Sequence, residues 1–135
     1  MVVFVCLDNN NGMLFNHRRQ SRDANLIKDV EATVGDSSVF LNSYSEPLFA
    51  GTSVKLKVTD SFLSDAGIDD FCFVENTPVK AYEDQITKLI VYKWNRDYPS
   101  DFRFDIDYID DFKLESSIDF IGTSHEKITK EVYVK

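Results

Sequence analysis

Residues 13–22, MLFNHRRQSR, hold the densest set of chemistry-bearing side chains in the sequence: Arg18, Arg19 and Arg22 with His17, and no carboxylate. The chain carries a formal charge of −8, so everything outside this segment carries −11. A guanidinium presents a planar fork of N–H donors that matches a phosphate or carboxylate, and arginine at all three positions favours that bidentate geometry. At a loop–helix junction such groups would add to the unpaired amides and dipole of a helix N-terminus, which already favour an anion. The alternative is that they pair with the surplus carboxylates. The acidic remainder repels duplex nucleic acid, so any small anion has this one place to enter.

Two further residues could move protons. Asp23 is either a proton donor in a cleft or a first-turn acid that stabilises the helix dipole. His125, in SHEKIT beside Glu126, is either a general base oriented by a carboxylate or an ordinary loop histidine at the entry to the last strand. Asp101, Asp105, Asp107, Asp110 and Asp111 resemble a metal cluster in composition only. Phe102, Phe104, Ile106 and Tyr108 alternate with them, which gives one buried and one solvated face. Cys6 and Cys72 each lie inside an apolar run and read as buried thiols, so no metal site and no bound cofactor are expected. Calcium-loop spacing, a phosphate-binding G-x-x-x-x-G-K and a nucleophile elbow are all missing from the sequence.

The elements that must position these groups follow from periodicity. A chain of 135 residues with 43% hydrophobic and 28% charged residues has globular composition and the length of a single domain, 1–135. Its longest apolar run, Val2–Leu7, is too short to span a bilayer and lacks the flanks of a signal peptide, so a cytoplasmic protein with no membrane partner is expected. VVFVCL (2–7) and SVFLNS (38–43) have the composition of strands buried on both faces. Between them Ser21 is the candidate N-cap of a helix over 22–34, with Leu26, Ile27, Val30 and Val34 on one face and Gly35 as its stop. VKLKV (54–58) alternates as a strand, Asp60 could cap a short helix ended by Gly67, and FCFV (71–74) is a further buried strand. Thr77 and Pro78 then open a helix carrying Val79, Tyr82 and Ile86. KLIVYKW (88–94), FRFDIDY (102–108) and ITKEVYV (128–134) are strands with no long helix between them, which implies an antiparallel end to the sheet. The fold class is α/β, a single-domain mixed sheet with flanking helices.

This order of elements resembles dihydrofolate reductase. FVENTPVKAYEDQITKLIVYKWN is similar to that family's strand, phosphate-binding turn, helix with Tyr-Glu and following strand. YPSDFRF stands where the family has an acidic, proline-containing stretch, and ITKEVYVK is similar to its final strand. CLDNNNGMLFNHRRQSRD resembles its first strand, its glycine-bearing loop and the helix whose acidic residue serves catalysis. The resemblance implies a dihydrofolate-reductase-like fold, with Asp23 at the catalytic carboxylate. It also marks departures. Glu75, Asn76 and Thr77 replace the paired glycines that let backbone amides approach the cofactor's pyrophosphate, Arg18, Arg19 and Gln20 replace Leu-Pro-Trp, and Tyr92 replaces a threonine that helps hold the pterin. The NGMLFN, RRQSRD and SHEKITKEVY frame also resembles an uncharacterised bacterial family, some of whose members carry the label ribonuclease Z. That enzyme's two-zinc site needs a His-x-His-x-Asp-His cluster and further histidines, whereas this chain has only His17 and His125.

The expected function is therefore non-reductase binding of a small anionic ligand, a nucleotide or another phosphate-bearing molecule, at His17, Arg18, Arg19 and Arg22. Two alternatives stay open: an NAD(P)H-dependent reductase with an atypical cofactor site, and a protein-interaction module.

Overall fold

Val2–Leu7 forms β1, the fourth strand of a seven-stranded sheet. The computed structural model describes residues 1–135. Along β1 the side chains alternate between two cores: Val3, Val5 and Leu7 enter one, Phe4 the other. Phe4 has 0% exposure, and burying such a side chain contributes roughly 1.5–3 kcal/mol. A run apolar at every position is what a central strand covered on both faces requires.

The remaining strands are β2 (Gly12–Phe15), β3 (Arg18–Arg19), β4 (Ser38–Leu41), β5 (Lys55–Val58), β6 (Phe71–Phe73), β7 (Lys88–Lys93), β8 (Phe102–Arg103), β9 (Lys113–Phe120) and β10 (Ile128–Val134). The large sheet runs β5-β4-β6-β1-β7-β10-β9, and β3-β2-β8 form a small one. From β5 to β7 all neighbours are parallel, with Val3 between Cys72 and Leu89; β10 is antiparallel to both β7 and β9. The sheet is mixed, as the change of character in the last third predicts.

Helix α1 (Ala24–Val34) lays Leu26, Ile27, Val30 and Val34 on the Phe4 face of the sheet. The Asp29 carboxylate accepts from the Tyr92 hydroxyl at 2.5 Å and pairs with Lys130 at 2.8 Å, which ties the middle of α1 to β7 and β10. The expected start and cap of this helix are corrected. It begins at Ala24, and Asp23 rather than Ser21 is the cap, its Oδ1 accepting from Asn25 N and Leu26 N. Gly35 ends it as expected, with φ 57°.

Three other expected elements differ. Helix α2 (Phe62–Asp65) has Ser61 at its cap position with no side-chain bond to the backbone, so Asp60 does not cap it. The segment after Pro78 is a 3-10 turn, Lys80–Gln85, whose entry amides Val79 N and Lys80 N are bonded by the Asp105 carboxylate. Only Phe102–Arg103 of the segment 102–108 is a strand, and it belongs to the small sheet; the chain turns into α3 (Tyr108–Asp111) where a longer strand is predicted. The alternation itself holds, with Phe104, Ile106 and Tyr108 buried and Asp105 and Asp107 exposed. No helix is long and apolar enough to cross a membrane.

Candidate functional site

The basic segment forms a hairpin. Phe15 pairs with Arg18 and Leu14 with Arg19, and the two residues between, Asn16 and His17, have φ of 52° and 63°. Positive φ at both central residues is the backbone of a two-residue hairpin turn whose twist matches its strands. Successive residues of a strand point to opposite sides, so Arg18 and Arg19 cannot act together. Arg18 and His17 are exposed, whereas Arg19 is half-buried and turns inward.

Inside, Arg19 meets Glu75, two residues beyond the carboxyl end of β6. Nε donates to Oε2 at 2.9 Å and Nη2 to Oε1 at 3.0 Å, a bidentate pair in which Arg19 and Glu75 side chains keep 19% and 10% exposure. Nη2 also donates to the Tyr44 carbonyl at 2.9 Å, and the guanidinium lies 4.6 Å from the centre of the Tyr44 ring. Ser45 Oγ donates to Glu75 Oε1 at 2.7 Å. Tyr44 and Ser45 follow β4, so Arg19 and Glu75 lace together the carboxyl ends of the adjacent parallel strands β4 and β6. That crevice is where open α/β sheets take ligands, and here it is filled by the protein's own ion pair.

Beside the pair lies a narrow cleft whose free space is about 20 Å³, room for about one water molecule. Met13, Leu26, Ile27, Leu48, Phe73 and Trp94 give it apolar walls, with Cys6, Arg19, Gln20, Arg22, Asp23 and Glu75 among them. Burial pushes the Cys6 thiol well above its ordinary value, and Cys72 is pushed up to about 12 by burial, so both stay protonated as inert thiols. Gln20 Nε2 donates to Asp8 Oδ2 at 2.8 Å. Since a carboxylate only accepts, this bond fixes the amide's orientation, and it leaves Gln20 Oε1 buried without a partner.

An outer groove of about 530 Å³, the space of a small ligand, opens alongside and shares Arg22, Asp23, Ile27 and Leu48 with the inner cleft. Lys28, Glu31, Ala24, Pro47, Ala50 and Thr52 extend it, with the Glu31 carboxylate accepting from Ser53 N and Oγ. Of the three arginines of the segment, only Arg22 lines both spaces, and neither Arg22 nor Lys28 is in a salt bridge. His17, Arg18, Arg19 and Arg22 are thus not brought together as one anion site.

The helix N-terminus is occupied as well. Ala24 N donates to Thr123 Oγ1 at 2.9 Å, and Asn25 N and Leu26 N donate to Asp23. Asp23 Oδ2 accepts from Ser124 N at 2.7 Å and Ser124 Oγ at 2.8 Å. Burial alone would raise this carboxyl; the bonds from Ser124, Leu26 and Asn25 outweigh it and hold the group below its ordinary value. An ionised carboxylate accepting four bonds is a helix cap, and it has no proton to donate.

His125 is buried, at 5% exposure. Its Nδ1 is 2.6 Å from Ser124 Oγ, its Nε2 is 2.6 Å from the Tyr98 hydroxyl, and its ring stacks on Trp94 with centroids 4.7 Å apart. Glu126, the adjacent carboxylate in sequence, is exposed. The carboxylate linked to His125 is instead Asp23, through Ser124. Burial, with Arg96 nearby, lowers the histidine below its ordinary value.

Tyr44, Ser45, Tyr98 and Ser124 leave no trace in sequence patterning, because they join the site across wide separations: 30 residues for Ser45–Glu75 and 27 for Tyr98–His125. Compared with known proteins, the chain matches no protein-family model and no curated sequence.

Proposed function

We propose that the protein binds a small anionic ligand of nucleotide type in the outer groove, with its flat apolar part against Ile27, Pro47 and Leu48 and its anionic group at Arg22 and Lys28, and that it carries out no nicotinamide-dependent reduction. The observation that carries this reading is a ligand-sized groove in which neither Arg22 nor Lys28 is in a salt bridge, while the two carboxylates that also line it, Asp23 and Glu31, are bonded by Ser124 and Ser53. On a chain of charge −8, two cations set against two carboxylates leave this groove less repulsive to an anion than the surface as a whole.

One more feature supports the non-reductase part of it. Glu75 and Arg19 fill the crevice in which the dihydrofolate-reductase-like reading would place a cofactor's pyrophosphate. A carboxylate there opposes phosphate, and side chains take the space that glycine would leave open. The element order fits that fold reading: β1, a glycine-bearing loop, helix α1 headed by Asp23, then β6, the Glu75–Thr77 turn, a short helical turn and β7.

A thermal-shift screen with adenosine 5′-monophosphate, folic acid and glucose 6-phosphate tests the proposal. A ligand present at about 100 times its Kd should add about 2.7 kcal/mol of stability. The gain should shrink in Arg22→Ala. No shift with any of the three would overturn the reading.

A further inference from the structure

The loop between β9 and β10, residues 121–127, is a clamp on the cleft. Four contacts hold it to the start of α1: Ser124 N and Oγ to Asp23 Oδ2, Ala24 N to Thr123 Oγ1, and Asn25 Nδ2 to the Ile121 carbonyl at 2.9 Å. A fifth contact runs through the histidine, which stacks behind Trp94 and bonds to Tyr98 in the segment after β7. Asp23 and Trp94 both line the inner cleft. The loop therefore supports two of the cleft's walls from behind.

The direction of each bond in this chain follows from donor counting. Ser124 has one hydroxyl proton. Its amide and its hydroxyl both face the Asp23 carboxylate, which only accepts, so that proton is committed to Asp23. Towards His125 the Ser124 oxygen can then only accept, which puts the imidazole proton on Nδ1. Nε2 is left with its lone pair facing the Tyr98 hydroxyl, which donates to it. The bonds Tyr98 to His125, His125 to Ser124, and Ser124 to Asp23 are all satisfied with one neutral tautomer.

A second proton on the ring reverses this arrangement. Nε2 becomes a donor, the Tyr98 hydroxyl must rotate to accept from it at 2.6 Å, and a cation is placed in a slot with 5% exposure. The charged groups that face the ring are Arg96, which repels the cation, and Asp23, which attracts it but already accepts four bonds. Trp94, Tyr98 and Ser124 are neutral. A ring expelled from the slot takes residues 121–127 with it.

From this geometry we propose that His125 is a proton-operated latch: its neutral ring holds the 121–127 loop against α1 and Trp94 and keeps the cleft formed, and its protonation releases the loop. This rests on the reading of the adjoining groove, lined by Asp23 and Thr123, as the ligand site only for its functional meaning, since the latch itself is measured without a ligand. The pKa direction agrees in sign, because a histidine held below its ordinary 6.5 favours the latched, neutral form at neutral pH.

The experiment is a ligand-free titration from about pH 8 to about pH 5, the range in which histidine changes charge. Emission from Trp94, the only tryptophan, is followed alongside amide exchange corrected for the intrinsic effect of pH. In wild type the emission should change with a midpoint below 6.5. Over the same range residues 23–26 and 121–127 should exchange about tenfold faster, the signature of local opening. His17→Gln should keep the transition and His125→Gln should lose it. Imidazole nitrogen shifts of the wild type provide a readout that needs no variant to fold, and should show the Nδ1-protonated tautomer. The proposal is overturned by a His125 midpoint at or above 6.5, by the other tautomer, or by exchange in the two segments that does not follow the titration. None of these outcomes bears on ligand binding at neutral pH. A failed ligand screen, conversely, leaves the latch measurements intact.

Discussion

Arg19 and Glu75, 56 residues apart in sequence, form a bidentate ion pair across the carboxyl ends of β4 and β6. The pair turns the crevice of the sheet from an open pocket into a wall. It also divides the arginines into two roles, with Arg19 structural and Arg22 left at the rim.

Removing one partner of a largely buried pair strands the other. Arg19→Ala should lower unfolding stability by about 3 kcal/mol, read from the urea midpoint at unchanged slope. Arg19→Lys should recover only part of this, because an ammonium cannot reproduce the two-pronged geometry. A loss below about 1 kcal/mol for Arg19→Ala would place the pair with weak surface bridges.

With Glu75 in the turn where the resemblance expects glycines, the purified protein should show no steady-state oxidation of NADPH in the presence of dihydrofolate. A turnover proportional to enzyme concentration would show that the ion pair yields to the cofactor.

Gly122 is required by space rather than by backbone angle. A Cβ at this position would stand 2.4 Å from Asp23 Oδ2, 2.7 Å from Ile128 Cδ1 and 2.9 Å from the His125 carbonyl oxygen. Two of those neighbours belong to the clamp, so Gly122→Ala should destabilise the fold by about 1–3 kcal/mol and accelerate exchange at residues 121–127. Unchanged stability and exchange would mean that the loop has slack the structure does not show.

Asp23 should contribute to stability in a pH-dependent way. Its folded carboxyl lies below the ordinary 3.8, so its contribution is complete above that value and disappears as pH falls through the lower folded one. Asp23→Ala should cost about 2 kcal/mol at neutral pH through loss of the cap and the Ser124 bonds. The variant should also show a weaker decline of stability in acid than wild type, as measured by urea unfolding at several pH values.

Much of the large sheet was legible because burial on both faces leaves a sequence signature: β1, β4, β6 and β7 are apolar runs, and β10 runs antiparallel to β7 as the helix-free last third predicts. Strand β9 was not legible. As the open edge of the sheet it is exposed from Lys113 to Asp119, and KLESSIDF carries only an interrupted alternation, Leu114, Ile118 and Phe120 with Ser116 between them, and no apolar run. The β2–β3 hairpin was hidden for another reason: Asn16 and His17 adopt positive φ without the glycine that usually announces such a turn. At the site, the segment 13–22 was found but its geometry was not, since strand alternation separates Arg18 from Arg19 once the hairpin is known. Asp23 was identified as a helix-terminus acid; its bonds to Ser124, 101 residues away, were not readable.

Arg22 is the residue at which anion binding is tested most directly. Adenosine 5′-monophosphate is titrated into wild type, Arg22→Ala and Arg18→Ala at neutral pH, with Trp94 emission as the signal. Wild type and Arg18→Ala should give the same saturable change. Loss of a charge-assisted contact should weaken Arg22→Ala roughly ten- to a hundredfold, and added salt should weaken wild-type binding. A wild type with no saturable response, or an Arg22→Ala affinity equal to wild type, would contradict the assignment of this groove to an anionic ligand.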